Sequence, residues 1–264
     1  MTDIDYKNIR EKITPQRFGR HFLTASSLPS TNTGIKKYLK NEHELPLILT
    51  AEEQTGGKGR MQRSWHSPSG KGIWISTAFP AVDSTANFGH YNFMCSLVIS
   101  SAIEEITGIK ADLKWPNDIL IGGKKICGIL SESISCADGK YIIISGMGLN
   151  VNIKKTEFPA EIRNLATSLL IETGKNIDRQ KLLLEIISNL NEYYDLWQNK
   201  GIEPIYFQWI SQCTTLGKSV EIKTEKQYIS GVAINVNKDG SLLLEEKTGK
   251  THRIYAGDLE YIIN

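Results

Sequence analysis

Between Ala111 and Ile153 the chain runs through ADLKWP, DILI, KKICGILSES and YIIISGMGLNVNI, four apolar, strand-like stretches with little between them. Gly122-Gly123 and Ala137-Asp138-Gly139 supply the last two turns, and connections this tight join antiparallel neighbours. The stretch therefore predicts an antiparallel meander. LPLILTAEE and GIWISTAFP add two more strands upstream.

Helices to cover such a sheet are equally legible. Ser30, Thr31 and Asn32 offer capping side chains to SLPSTNTGIKKYLKNEHEL, where Ile35, Tyr38 and Leu39 repeat at helical spacing. From about Gly89 to Gly108, Met94, Leu97, Val98, Ala102 and Ile106 trace one face. Asp178 caps a third helix carrying Leu183, Ile186, Ile187, Leu190, Tyr194 and Trp197, and IEPIYFQWISQC reads as a fourth. Trp74, Trp197 and Trp209 are expected in the core. After Leu216 the pattern shifts to short strands, among them SVEIKT, QYISGVAINVN, GSLLLEE and THRIYAG, with turns at Lys238-Asp239-Gly240 and Lys247-Thr248-Gly249. Five short strands in so small a space suggest an SH3-like barrel. The expected organisation is a polar N-terminal extension over 1–19, a main domain over 20–215 and a barrel over 216–264. A length of 264 residues suits one sizeable core plus a small accessory unit.

Charge narrows the function. Gln54 to Gly72 reads QTGGKGRMQRSWHSPSGKG, with five glycines, four Lys/Arg residues and no acid. Those four exceed the net charge of +2 for the whole chain, so positive charge is local. That favours a small anion over a nucleic-acid track. Glycine backbone approaches a ligand closely and aims N–H groups at it, while Lys58, Arg60 and Arg63 add full charges. A flexible basic hairpin would explain the glycines alone; it leaves unexplained three cations spaced beside Trp65. Four scattered cysteines argue against a zinc site or a disulfide framework. The polar N-terminus and the lack of long apolar runs predict a cytoplasmic protein away from membranes. No GxxxxGK[ST] occurs, and Gly146-Met147-Gly148 lacks the third glycine of a dinucleotide fingerprint.

Two further motifs carry chemistry. Lys114-Trp115-Pro116-Asn117-Asp118 puts a cation, an amide and a carboxylate around a proline that restricts the backbone. Gly123-Lys124-Lys125-Ile126-Cys127-Gly128 runs a lysine into an apolar strand. Strict alternation places Lys125 on the side of Cys127 and Ile129, and a lysine on a buried face wants an anion.

In this order the motifs resemble those of the biotin–protein ligases. The family loop GRGRxGRxW is similar to Gly57-Lys58-Gly59-Arg60-Met61-Gln62-Arg63-Ser64-Trp65; KWPND is intact at 114–118, and the lysine-glycine strand matches 125–130. GMGLNVN resembles the glycine/asparagine segment of the family. The likeness runs from about residue 20 to the C-terminus. Lys58 stands in place of arginine, losing bidentate geometry, and Gln62 in place of glycine, stiffening the loop.

The resemblance implies an α+β fold: a mixed, largely antiparallel sheet with packed helices, class II synthetase-like, plus the SH3-like barrel. It implies a single-function enzyme without an N-terminal DNA-binding domain, joining biotin to a lysine of a biotin carboxyl carrier protein through biotinyl-5′-AMP. ATP and Mg²⁺ are then required, DNA and membrane are not partners, and monomer and homodimer both stay open. Arg60, Lys114, Lys125 and Asp118 are the implied catalytic residues. Ser30, Thr31, Asn32, Gln54, Gly57, Lys58, Gly59, Arg60, Trp65 and Lys125 are implied to hold biotin. Lys58, Arg60, Arg63, Lys114, Asn117 and Asn150 are implied to hold the nucleotide. A lipoate–protein ligase is the nearest alternative, and a non-catalytic nucleotide or RNA binder a distant one.

Overall fold

The computed structural model describes residues 4–13, 16–39, 44–81, 88–136, 140–224 and 227–262. A seven-stranded sheet holds β1 (Phe22–Ala25), β2 (Leu47–Ala51), β3 (Gly72–Pro80), β4 (Asp112–Lys114), β5 (Asp118–Ile121), β6 (Lys124–Ser135) and β7 (Tyr141–Asn150). Their order is β1-β2-β3-β7-β6-β5-β4, and only the β1–β2 pair is parallel. The expected meander is thus present from β4 to β7, while β1 has no counterpart in the sequence reading. The Ala137-Asp138-Gly139 turn and the NEH part of the first expected helix lie outside the described residues.

Helices follow the predicted periodicities: α2 (Thr31–Leu39), α3 (Phe88–Thr107), α5 (Arg179–Lys200) and α6 (Glu203–Ser211), with a short α4 (Leu169–Thr173) that no periodicity announced. Asp178 caps α5 by accepting the Lys181 N–H. One face of the sheet, carrying Ile73, Ile75, Cys127, Ile129, Met147 and Leu149, packs on α3 and α5 in the main core. Trp74, Trp197 and Trp209 are all buried.

The polar extension expected over 1–19 contains instead an amphipathic helix, α1 (Tyr6–Ile13), whose Ile9 and Ile13 are buried in that core together with Ile4 and Phe18. Apolar residues this sparse among Lys, Arg and Glu are enough for one short buried stripe. Tyr6 reaches further, donating its hydroxyl to Glu52 at 2.5 Å. Arg179, almost wholly buried, donates to Glu52 from both terminal nitrogens, at 3.0 and 2.7 Å, and to the Gly72 carbonyl at 3.2 Å. Glu52 and Gly72 are the two stems of the glycine-rich basic segment, so one buried ion pair fixes where it leaves and rejoins the sheet.

The C-terminal unit is a five-stranded antiparallel sheet of β8 (Ser219–Lys223), β9 (Tyr228–Val236), β10 (Leu242–Glu245), β11 (Thr251–Ile254) and β12 (Asp258–Tyr261), ordered β11-β10-β9-β8-β12. It docks on the main domain through Trp115, whose indole N–H donates to the Gly240 carbonyl at 2.8 Å, and Tyr206, whose hydroxyl donates to the Val236 carbonyl at 2.8 Å.

Candidate active site

The site occupies the sheet face opposite α3 and α5. Register builds it: Lys114, Asp118, Gly128, Gly148 and Trp74 are successive cross-strand partners through β4, β5, β6, β7 and β3, and so share that face. Gly146, two residues from Gly148 on β7, lies on it as well. Without side chains these glycines leave a trough. A Cβ on Gly148 would collide with the Trp65 indole and one on Gly146 with the Asn32 amide. A Cβ on Gly128 would stand 3.1 Å from both Trp65 and the Lys125 stem. Close approach, rather than a turn, is what requires glycine here.

Lys125 reaches this face through a β-bulge. Ile119 pairs with Cys127 but Leu120 pairs with Lys125, so Ile126 is an extra residue on β6. The expectation from alternation is therefore corrected: Lys125 faces the site beside Gly128, while Cys127 and Ile129 face the core. Its ammonium pairs with Asp118 at 2.6 Å and lies 5.1 Å from the Trp65 ring centroid. Its backbone is held by residues 165–167, donating to the Leu165 carbonyl and accepting from the Thr167 N–H. Asn150, expected on the nucleotide, is buried and donates its amide to the Thr167 carbonyl at 3.0 Å, bracing that same segment.

At one end of the trough stands the first turn of α2. Ser30, Thr31 and Asn32 are all buried. Gln54 accepts from the Thr31 N–H at 2.9 Å, satisfying a donor that a helix start leaves open, and donates to Ser67 at 2.9 Å. Ser67 donates to the Trp65 carbonyl at 3.2 Å, and Gly57 accepts from the Trp65 N–H at 2.8 Å. Gly57 packs so tightly that a Cβ would come within 2.8 Å of Ser67. Trp65 thus lies across the glycines, its indole N–H buried and, among the described residues, without a hydrogen-bond partner.

The other end is charged. Arg60 donates to Asn117 at 3.2 Å, and Asn117 donates in turn to the Ile129 carbonyl at 2.5 Å, tying the loop to KWPND and to β6. Burial lowers the Arg60 pKa, and the carboxylates of Asp118 and Asp258 oppose that shift. Burial likewise lowers the Lys114 pKa, against the raising effect of Asp118, with Lys125 lowering it further. Lys114 stands 4.8 Å over the Tyr261 ring of β12. Arg63 does not join the trough: it pairs with Asp258 of β12 beside a cavity of about 220 Å³ that Glu221, Lys223, Tyr228 and Glu260 also line. Lys58 is exposed, its segment bridging Ser64 across the loop next to Gly59. At the tip Met61 and Gln62 have φ of 51° and 59°, a left-handed conformation costly for residues with a Cβ.

A family model for the biotin/lipoate A/B protein ligase family matches residues 24–150, and one for the biotin protein ligase C-terminal domain matches residues 215–260. The bifunctional ligase/repressor BirA of Bacillus subtilis is 33% identical over 252 residues, covering 96% of this chain and 77% of that protein. The chain belongs to the biotin/lipoate ligase family. The biotin–[acetyl-CoA-carboxylase] ligase of Mycobacterium tuberculosis is 26% identical over 98% of this chain and 96% of that one. In three dimensions it is similar to the biotin protein ligase of Aquifex aeolicus in complex with biotin and ATP, with a TM-score of 0.76 and 29% identity over 92% of this chain and 99% of that one. Family membership accounts for the α+β architecture and the small C-terminal β unit. The geometry itself adds residues that no motif flagged: Ser76 and Glu132 on Asn32, Asp258 on Arg63 and Tyr261 under Lys114. Of these, Ser76 had a faint signal, a polar residue inside the apolar strand GIWISTAF.

Proposed function

We propose that this protein joins biotin to a lysine of a biotin carboxyl carrier protein in two steps, using ATP and passing through biotinyl-5′-AMP. One observation carries the reading: Lys125 and Asp118 form an ion pair at the charged end of a glycine-floored trough whose other end is neutral and hydrogen-bonded. That polarity matches a ligand with a ureido ring at one end and a carboxylate at the other.

In the first step a biotin carboxylate oxygen bonds to the α-phosphorus of ATP, and the bond from that phosphorus to the bridging oxygen breaks, releasing pyrophosphate. Two anions must approach, so fixed positive charge governs the rate. Lys125 sits between them, and Arg60 closes over the phosphates from its anchor on Asn117. Lys114 meets the charge that develops on the phosphates, with Tyr261 behind it. Lys58 and Arg63 lie further out, where they attract the triphosphate. Among the described residues no three His, Cys, Asp or Glu side chains converge to hold a metal ion. Mg²⁺ would neutralise part of the phosphate charge alongside Arg60 and Lys114. In the second step the carrier lysine amine attacks the acyl carbon, AMP leaves, and Asp118 takes the proton of the amine. Trp65 shields the anhydride from water meanwhile.

Localisation in the cytoplasm accords with this chemistry, and among the described residues no helix is long and apolar enough to cross a membrane. The deciding experiment is exchange of labelled pyrophosphate into ATP. Biotin-dependent exchange is expected; exchange that depends on lipoate instead, or no exchange, overturns the reading.

A further inference from the structure

We propose that Tyr261 of the C-terminal unit is a positioning residue for the first step, its ring face holding the Lys114 ammonium at the charged end of the trough. The inference rests on the biotin reading above. The ammonium stands 4.8 Å from the Tyr261 ring centroid, within the range where a cation is drawn to the electron-rich face of an aromatic ring. On β12, Leu259 and Tyr261 pair with Ile222 and Val220 of β8, and Leu259, Ile222 and Val220 are all buried. Tyr261 therefore lies on the apolar face of that sheet, at the end that reaches Lys114. Its hydroxyl is buried and, among the described residues, without a hydrogen-bond partner. The ring face, not the phenol, is what it gives to the site.

The next residue of the same motif brings a strand from another unit to this place. Trp115 is buried; its backbone N–H donates to the Thr215 hydroxyl at 3.0 Å and its indole N–H to the Gly240 carbonyl at 2.8 Å. Gly89, at the start of α3, meets the same turn so closely that a Cβ would come within 2.4 Å of the Asp239 carbonyl oxygen. KWPND thus supplies both the anchor of the C-terminal unit and the cation that this unit covers. Facing Lys114 are Asp118 of β5, Lys125 of β6, and Glu260 and Asp258 of β12. Burial has the largest influence and disfavours the charged ammonium; the three carboxylates oppose it and Lys125 adds to it. A ring face replaces part of the lost hydration, which an aliphatic wall does not. Without the ring, Lys114 gives up its proton at lower pH and its charge is lost to the triphosphate.

Tyr261→Leu tests the idea in biotin-dependent pyrophosphate exchange followed against pH. The alkaline limb should move to lower pH, with a loss of roughly tenfold in rate on that limb and little change toward neutral pH. Tyr261→Phe should match wild type, since it keeps the face and removes only the unpaired hydroxyl. In a Lys114→Arg background, where the guanidinium stays protonated, the leucine substitution should no longer shift the limb. If Tyr261→Leu does not fold, phenylalanines of rising fluorine content at position 261 keep the shape while weakening the face, and the limb should step down with each added fluorine. A loss equal at every pH, a limb that stays in place, or a shift that persists with Lys114→Arg overturns the proposal while the biotin reading stands. Absence of biotin-dependent exchange in the wild-type protein overturns both.

Discussion

The two ends of the trough are built on opposite principles. The neutral end, around Thr31, Asn32 and Ser76, is buried and already hydrogen-bonded within the protein. The charged end holds Lys125 on Asp118, and outside the trough Arg63 pairs with Asp258; both are cations on carboxylates that an incoming polyanion can displace. A neutral ring is recognised by geometry that must be set beforehand, because an unsatisfied buried group costs about 1–3 kcal/mol. Phosphates are recognised by charge, which tolerates exchange of partners. Substitutions at the first end should therefore change selectivity, and at the second, rate and salt dependence.

The largest effect is expected at the charged end. Lys125→Ala removes the cation between carboxylate and α-phosphate and should lower pyrophosphate exchange by about 10²–10³ or more. An exchange rate within a few-fold of wild type would show that charge at this end is carried elsewhere. Next comes Gly148→Ala in the trough floor. Its methyl meets Trp65, and overpacking of about 1–3 kcal/mol should appear as weakened biotin binding in calorimetry, with ATP binding preserved.

Arg60→Gly should leave adenylate synthesis measurable while opening the lid. Biotin should then appear on bystander proteins, readable by streptavidin blotting; a clean background with intact synthesis would refute the lid. Lys114 gives a pH signature. Its pKa is lowered, chiefly by burial, and its protonated form is the useful one, so activity should fall as pH rises through a value below that of an ordinary lysine. Lys114→Arg should move this alkaline limb upward in a pH–rate profile. The smallest effect belongs to Asp258→Asn. Freeing the exposed Arg63 should lower KM for ATP by roughly two-fold at low salt and vanish at high salt.

The elements that follow one local rule were legible in the sequence. Asp178 capping α5, the apolar run of GIWISTAFP and the apolar face of α3 each depend on neighbours a few residues away. Lys125, Trp65 and KWPND were legible as chemistry before their geometry was known. The side on which Lys125 points was not, because the extra residue at Ile126 breaks the phase and leaves no compositional mark. Contacts between distant parts of the chain were silent for a different reason. Arg63 and Asp258 are 195 positions apart, and neither belongs to a pattern that includes the other. α1 was hidden because three isoleucines among charges look like a tail until a core is present to receive them.

That tail has a practical consequence. Tyr6 holds one oxygen of Glu52 while Arg179 holds the other, and Glu52 is the first residue past β2. Burial and then Glu52 push the tyrosine hydroxyl far above its ordinary range, so it remains a donor across the working pH. Anyone trimming the first dozen residues to improve crystals, or splicing a fusion partner into them, would be cutting a guy-rope of the lid rather than loose thread.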